Sequence, residues 1–203
     1  MTIQNSNEIL RKILAAMGSI PRQVYAPGGD TFLMIDAIDT LSLEGKSVLD
    51  LGIGSGILGL YCALRQADVT GADIDELAIR NTTDAARLLG VELKLVVSDV
   101  FSNTPSQFDL ILFNPPYLPS EGIHDGTVDG GSRGRALILR FLEGLPGHLR
   151  KGGIALLLLS SLNSPSTLRK SYDSLEFSTI AKRAMFFEEL EVLRVRLRND
   201  LSI

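Results

Sequence analysis

Ser47-Val48-Leu49-Asp50-Leu51-Gly52-Ile53-Gly54-Ser55-Gly56 decides the fold. SVLDL (47–51) reads as a short buried strand. It breaks into a turn with three glycines, and an apolar helical run follows from Ile57 to about Gln66. Strand, glycine turn and helix in that order open a parallel βαβ unit. The glycines permit the tight turn and let a ligand approach the backbone. The helix N-terminus presents free amide donors at the same place.

Working outward, the alternation repeats. DVTGAD (68–73) is a second strand and Glu76 to Leu89 a helix. LKLVV (93–97) and FDLILF (108–113) are the third and fourth strands. After a long loop come a helix from Arg135 to Leu149, a fifth strand GIALLLLS (153–160) and a helix from Leu168 to Leu175. FSTIAKRA (177–184) and ELEVLRVRL (189–197) have no helix between them, which predicts an antiparallel hairpin at one edge. Upstream, Ile9, Leu10, Ile13 and Leu14 sit at helical spacing in residues 7–17. Thr31 opens a second helix through about Leu43, with Phe32, Ile35, Ile38 and Leu41 three apart on one face. The predicted fold class is α/β: a doubly wound, mostly parallel seven-stranded sheet with an antiparallel C-terminal hairpin. One domain is expected over 1–203, with an N-terminal helical segment (1–45) and a core (46–203).

Composition narrows the function classes. A chain of 203 residues, 45% of them hydrophobic, suits one large core. A net charge of −4 argues against broad electrostatic attraction to nucleic acid. The single cysteine, Cys62, excludes an intramolecular disulfide and a zinc site of several thiolates, and no metal site is predicted. It lies in an apolar helical run and is expected in the core. The N-terminus lacks a basic region followed by an apolar stretch, and the longest apolar run, Ile154 to Leu159, is too short to cross a bilayer. A soluble, cytoplasmic protein with no membrane partner is the expectation.

An open α/β sheet takes its ligands at the carboxyl ends of its strands. Four such ends carry suitable residues. Asp50 precedes the glycine turn and would suit an ammonium group while repelling a pyrophosphate. Asp73 ends the second strand, where a carboxylate can accept both hydroxyls of a ribose. Ser98-Asp99-Val100 follows the third strand, where an acceptor can meet an exocyclic amine such as adenine's. The run Gly54-Ser55-Gly56-Ile57-Leu58-Gly59 is also a literal G-x-G-x-x-G, which keeps a nicotinamide dinucleotide in play.

Asn114-Pro115-Pro116-Tyr117 ends the fourth strand and is the most informative tetrapeptide. Two consecutive prolines hold the backbone extended and free of donors, which leaves nearby carbonyls as rigid acceptors. The Asn114 carboxamide oxygen is a second acceptor, so a planar NH2 group with two hydrogens is the natural guest. Tyr117 offers a flat face for stacking. Of the two histidines, His148 falls at a helix end and is expected to cap it, while His124 lies in the loop after the motif, open to a substrate role. Arg194, Arg196 and Arg198 alternate along the last strand and read as a solvated sheet face.

Taken together, DLGIGSG, Asp73 and SDV resemble the class I S-adenosylmethionine-dependent methyltransferases, with their Rossmann-like sheet. NPPY resembles the members that act on amino groups. Val24-Tyr25-Ala26-Pro27-Gly28-Gly29-Asp30-Thr31-Phe32 and the loop Asp129-Gly130-Gly131-Ser132-Arg133-Gly134-Arg135 are similar to segments of the short, archaeal and eukaryotic branch of the HemK-like glutamine N5 family. Ala26 and Gly29 stand where that branch usually has acids. The resemblance runs from about Val24 to Leu197.

The resemblance implies S-adenosylmethionine as cofactor. Thr31 and Asp50 would lie near its methionine part, with Gly52, Gly54 and Gly56 in the loop. Asp73 would take the ribose, and Asp99 and Val100 would flank the adenine. Asn114, Pro115, Pro116 and Tyr117 would hold the target amide. The implied substrate is the glutamine of a Gly-Gly-Gln loop in a translation release factor. A small zinc-containing activator subunit is the implied partner, joined to a sheet edge, with LKLVV the expected edge strand. A methyltransferase on adenine or guanine amino groups is the alternative. A catalytically silent scaffold and a dinucleotide oxidoreductase are the remaining readings, the first opposed by the intact NPPY and the second without a nameable catalytic acid.

Overall fold

The computed structural model describes residues 3–18, 24–104, 107–116, 132–163 and 165–198. Seven strands form one sheet. They are β1 (Ser47–Leu51), β2 (Asp68–Asp73), β3 (Lys94–Val97), β4 (Phe108–Phe113), β5 (Leu149–Ser160), β6 (Leu175–Ala184) and β7 (Glu189–Leu197). Their spatial order is β3-β2-β1-β4-β5-β7-β6. The first five pair in parallel, with Val48 opposite Val69 on one side and Leu110 on the other. β7 runs antiparallel between β5 and β6, so the expected hairpin closes the far edge.

Helices cover both faces because the strands alternate two apolar sets. Val48, Leu110, Leu112 and Leu156 meet one layer, formed by α1 (Ile3–Met17), α2 (Gly29–Ile38), α3 (Ile57–Leu64) and α4 (Glu76–Leu89). Leu49, Leu51, Ile111 and Leu157 meet the other, formed by α5 (Ser132–His148) and α6 (Pro165–Lys170). Large side chains such as Met34, Tyr61, Phe141 and Leu142 are fully buried. Each is worth about 1.5–3 kcal/mol of burial. Cys62 is buried in the first layer, and burial pushes its thiol pKa up.

Several boundaries differ from the sequence reading, and three of them have a visible cause. The second helix stops at Ile38 rather than near Leu43, where Arg65 holds the exit turn: Nη1 donates to Ile38 O (3.1 Å) and Nη2 to Leu41 O (2.8 Å). A cation at a helix C-terminus is favoured both by those carbonyls and by the helix dipole. Asp39 then binds Arg65, Tyr61 and Ser6, locking α1, α2 and α3 together. The last helix occupies Pro165–Lys170, not 168–175. Leu168 and Leu175 are both buried, seven residues apart as on one helical face, yet Leu175 already belongs to β6 and pairs with Leu197. The fifth strand starts at Leu149, four residues early, where it pairs with Phe108 before the register shifts. His148 therefore ends α5; its Nδ1 lies 2.8 Å from Gly144 O and its ring stacks on Phe101. Arg194 and Arg196 are half-buried and only Arg198 is exposed, so this row is less solvated than its alternation suggests. Among the described residues no helix is long and apolar enough to cross a membrane.

Candidate functional site

Strand order reverses between β1 and β4, and a crevice opens there at the carboxyl ends. It is a cavity of about 640 Å³. Of the residues singled out from sequence, Thr31, Gly52, Gly54, Asp73, Asp99, Val100, Asn114, Pro115 and Pro116 line it. Tyr117 and His124 lie outside the described residues, as does the Asp129-Gly130-Gly131 stretch.

The glycine turn is clamped onto β2. Gly52 N and Ile53 N both donate to Ala72 O, at 2.8 and 3.0 Å, and Gly54 N donates to Asp73 Oδ2 at 2.9 Å. Asp75 N donates to Asp73 Oδ1 at 3.0 Å. Each carboxylate oxygen therefore accepts a backbone donor, and the Ile74 amide adds a weaker one. Burial raises the Asp73 pKa, and the Asp75 and Gly54 amides hold it back.

Two residues expected at the cofactor from sequence lie outside the cavity lining. Asp50 does not line the cavity. It is 2% exposed, it projects with Val48 toward α3, and its Oδ2 accepts from Gly59 N at 2.8 Å. Burial pushes its pKa well up, with a smaller upward push from the Asp73 charge. Its visible role is to anchor the first turn of α3 beneath the loop. Gly56 also faces away from the cavity. It caps α3 with φ of 88°, and a Cβ there would lie 2.5 Å from Thr82 Oγ1, so glycine is required by conformation and by packing.

At the end of β3, Val100 adopts φ of 51°, a conformation a β-branched residue rarely takes. Ser98 holds the turn: its Oγ donates to Val100 O (2.9 Å) and accepts from Asn103 N (2.9 Å). Strain of this kind costs about 1–3 kcal/mol and persists where the surroundings impose it. Asp99 is exposed and forms a bidentate pair with Arg140 of α5, at 3.0 and 2.9 Å.

Asn114 is held from across the chain. Its Nδ2 donates to Asp30 Oδ2 at 2.8 Å. Only the donor end of a carboxamide can face a carboxylate, so the amide orientation follows from this partner. Asn114 Oδ1 is buried and has no hydrogen-bond partner among the described residues. A buried acceptor without a donor is costly unless a ligand supplies one. Asp30 is itself fixed: Tyr25 Oη donates to its Oδ2 at 2.8 Å, and Thr31 Oγ1 lies 3.4 Å from its Oδ1. The roles of Tyr25 and Asp30 were missed in the sequence reading, although both lie in the VYAPGGDTF segment that carried the resemblance. Leu137 of α5 and Arg140 beside it were missed too.

A sheet of this order, with its cavity at the glycine turn, an acceptor carboxylate on β2 and Asn-Pro-Pro on β4, is the build of a methyltransferase. Residues 28–187 match the family described as Methyltransferase small domain. The chain belongs to that family and is a methyltransferase. A Methanocaldococcus jannaschii protein with the provisional name protein N5-glutamine methyltransferase is 34% identical over 180 residues, covering 84% of this chain and 90% of the relative. Methyltransferase HEMK2 of Homo sapiens is 31% identical, covering 84% and 88%. Ribosomal RNA small subunit methyltransferase C of Pasteurella multocida is 39% identical, over only 47% of this chain and 27% of its own length. Among solved structures, the Mtq2–Trm112 complex of E. cuniculi, responsible for methylation of the eRF1 translation termination factor, superposes with a TM-score of 0.71 at 24% identity, covering 86% of this chain and 99% of the other. A 16S rRNA N2 G1207 methyltransferase of T. thermophilus, solved with AdoMet and guanosine, has a TM-score of 0.64 at 21% identity, covering 86% and 44%.

Proposed function

We propose that this methyltransferase transfers a methyl group from S-adenosylmethionine to the side-chain amide nitrogen of a glutamine, in the Gly-Gly-Gln loop of a translation release factor. The observation that carries the reading is the buried, unpartnered Oδ1 of Asn114, fixed by the bond from its amide to Asp30.

The cavity fits the cofactor. Asp73 presents its carboxylate to the cavity at the end of β2, where ribose hydroxyls would donate to it. Asp99 and Val100 would flank the adenine, with Asp99 already oriented by Arg140. Thr31, Gly52 and Gly54 would lie along the methionine part. S-adenosylmethionine supplies an electrophilic methyl on sulfur when bound.

The chain's own task is the nitrogen. An amide lone pair is delocalised and a poor nucleophile. Asn114 Oδ1 would accept one N–H of the target, and a carbonyl beside Pro115 the other, in a stretch where proline supplies no competing donor. Held at both hydrogens, the nitrogen is biased toward pyramidal geometry and its lone pair is aimed. Orientation and preorganised acceptors then carry the rate enhancement.

β3 lies at one edge of the sheet, as expected from sequence, and would receive the small zinc-containing activator as an added strand. Its exposed Val97 lies on that edge. The reading implies the cytoplasm, where termination factors work.

The test is mass spectrometry of a release factor incubated with the enzyme, S-adenosylmethionine and an activator subunit. One methyl on the Gly-Gly-Gln glutamine is expected, and an unmodified glutamine refutes the reading. The second reading, an adenine or guanine amino group, is favoured by the ribosomal RNA relative and by the shared planar NH2 chemistry. It requires labelled methyl to enter RNA or DNA; no incorporation removes it.

A further inference from the structure

The β6–β7 hairpin carries an exposed apolar tip that the chemistry above leaves unexplained. The turn closes with Met185 N donating to Glu188 O at 2.8 Å. Phe186 is 91% exposed and Phe187 87%, with their rings edge to face and centroids 4.6 Å apart. Two adjacent phenylalanines left in water mark a surface that another molecule covers.

The tip is fastened to the rim of the cavity. Arg183 Nη1 donates to Gly29 O at 2.9 Å and its Nη2 to Asp36 Oδ2 at 3.0 Å. Met185 lies against Gly29, where an added Cβ would come within 3.5 Å of its Cε. Gly29 is covalently next to Asp30, which holds Asn114. The hairpin that carries the two rings is therefore anchored to the segment that holds Asn114.

Charge and topology select the occupant. Lys182 is paired with Glu189 and Arg183 with Asp36, while Glu188 has no ion-pair partner. Among the described residues the tip thus has no unpaired cation to offer a phosphate backbone. β6 and β3 are opposite edges of the sheet, so an activator added to β3 leaves the hairpin free. We propose that the 185–187 tip docks the folded body of the protein substrate, gripping an apolar surface beside the loop that presents the target side chain. The proposal rests on the glutamine reading above. A few buried aromatic anchors dominate most protein interfaces.

The test uses a Phe186→Ser/Phe187→Ser double variant of the full chain, with activator present. Substrates are a whole release factor and a short synthetic Gly-Gly-Gln peptide. In the variant, KM for the whole protein rises about tenfold or more, while kcat, cofactor Kd and the kinetics on the peptide stay within about twofold. An unchanged KM for the whole protein overturns the docking surface, as does an equal loss on the peptide. So does a wild-type dimer in sedimentation that the double variant dissociates, because the rings would then cover a second copy. If the wild type modifies neither substrate, the glutamine reading itself falls. If it modifies both and the variant matches it, only the docking surface falls.

Discussion

The two halves of the cavity are built in different ways. The half at β1, β2 and β3 is assembled from consecutive turns. Gly54 and Asp73 are 19 residues apart, and each successive βα unit adds its own strand end. The half at β4 depends on a contact between residues 84 apart, Asp30 and Asn114. The first is a product of local strand-turn-helix geometry. The second exists only when α2 is docked onto the sheet beside β4. Damage to that docking should therefore impair the reaction while leaving the first half able to hold its ligand.

The sharpest way to break the comparison is Asn114→Ala. It removes the unpartnered acceptor, so kcat should fall about 10²- to 10³-fold, the range for a lost transition-state hydrogen bond. Calorimetry should find S-adenosylmethionine affinity within about twofold of wild type. A matching loss of affinity would merge the two halves into one.

Asp73→Ala tests the opposite half. Loss of charge-assisted hydrogen bonds worth about 1.5–3 kcal/mol should weaken cofactor binding roughly 10- to 100-fold, with kcat at saturating cofactor largely retained. The wild type should also show a pH signature. Its carboxylate must be ionised to accept hydroxyls, and burial raises its pKa, so affinity should fall on acidification from a pH above the ordinary aspartate range. The linkage to stability has the opposite sign. A raised native pKa means the folded state takes up the proton more readily than the unfolded chain, so acidification through the same window favours folding at this site. Affinity titrated over pH, beside denaturant midpoints, separates the two effects.

A smaller effect is expected at the joint between the halves. Asp30→Ala frees the Asn114 carboxamide to rotate and should lower kcat about tenfold, the cost of one charge-assisted bond. Tyr25→Phe removes a donor to Asp30 and should cost a few-fold in kcat, near 1 kcal/mol. If either variant changes cofactor affinity more than turnover, Asp30 serves the first half rather than the second.

Much of the cavity could be read from the chain alone. Strands such as SVLDL and FDLILF are short apolar runs with turn residues at their ends, and the residues just past those ends line the crevice. Asp50 and Gly56 are placed differently from their neighbours in the motif. Both lie within the glycine signature, but strand alternation turns Asp50 toward α3, and Gly56 meets Thr82 of α4. Motif membership does not state which face a side chain occupies once the helix is packed. Helical spacing misled in a similar way at Leu168 and Leu175, which are buried seven residues apart in two different elements.

Local pattern along the chain suffices for the succession of strands and helices, the parallel sheet with its closing hairpin, and the kinds of group at each strand end. These depend on periodicity and turn chemistry within a few residues. Only the tertiary structure decided that Asp30 reaches Asn114, that Arg140 claims Asp99, and that the Phe186–Phe187 tip stands at the rim. Such contacts depend on how helices settle against the sheet, and the packing of side chains distant in the chain sets that position.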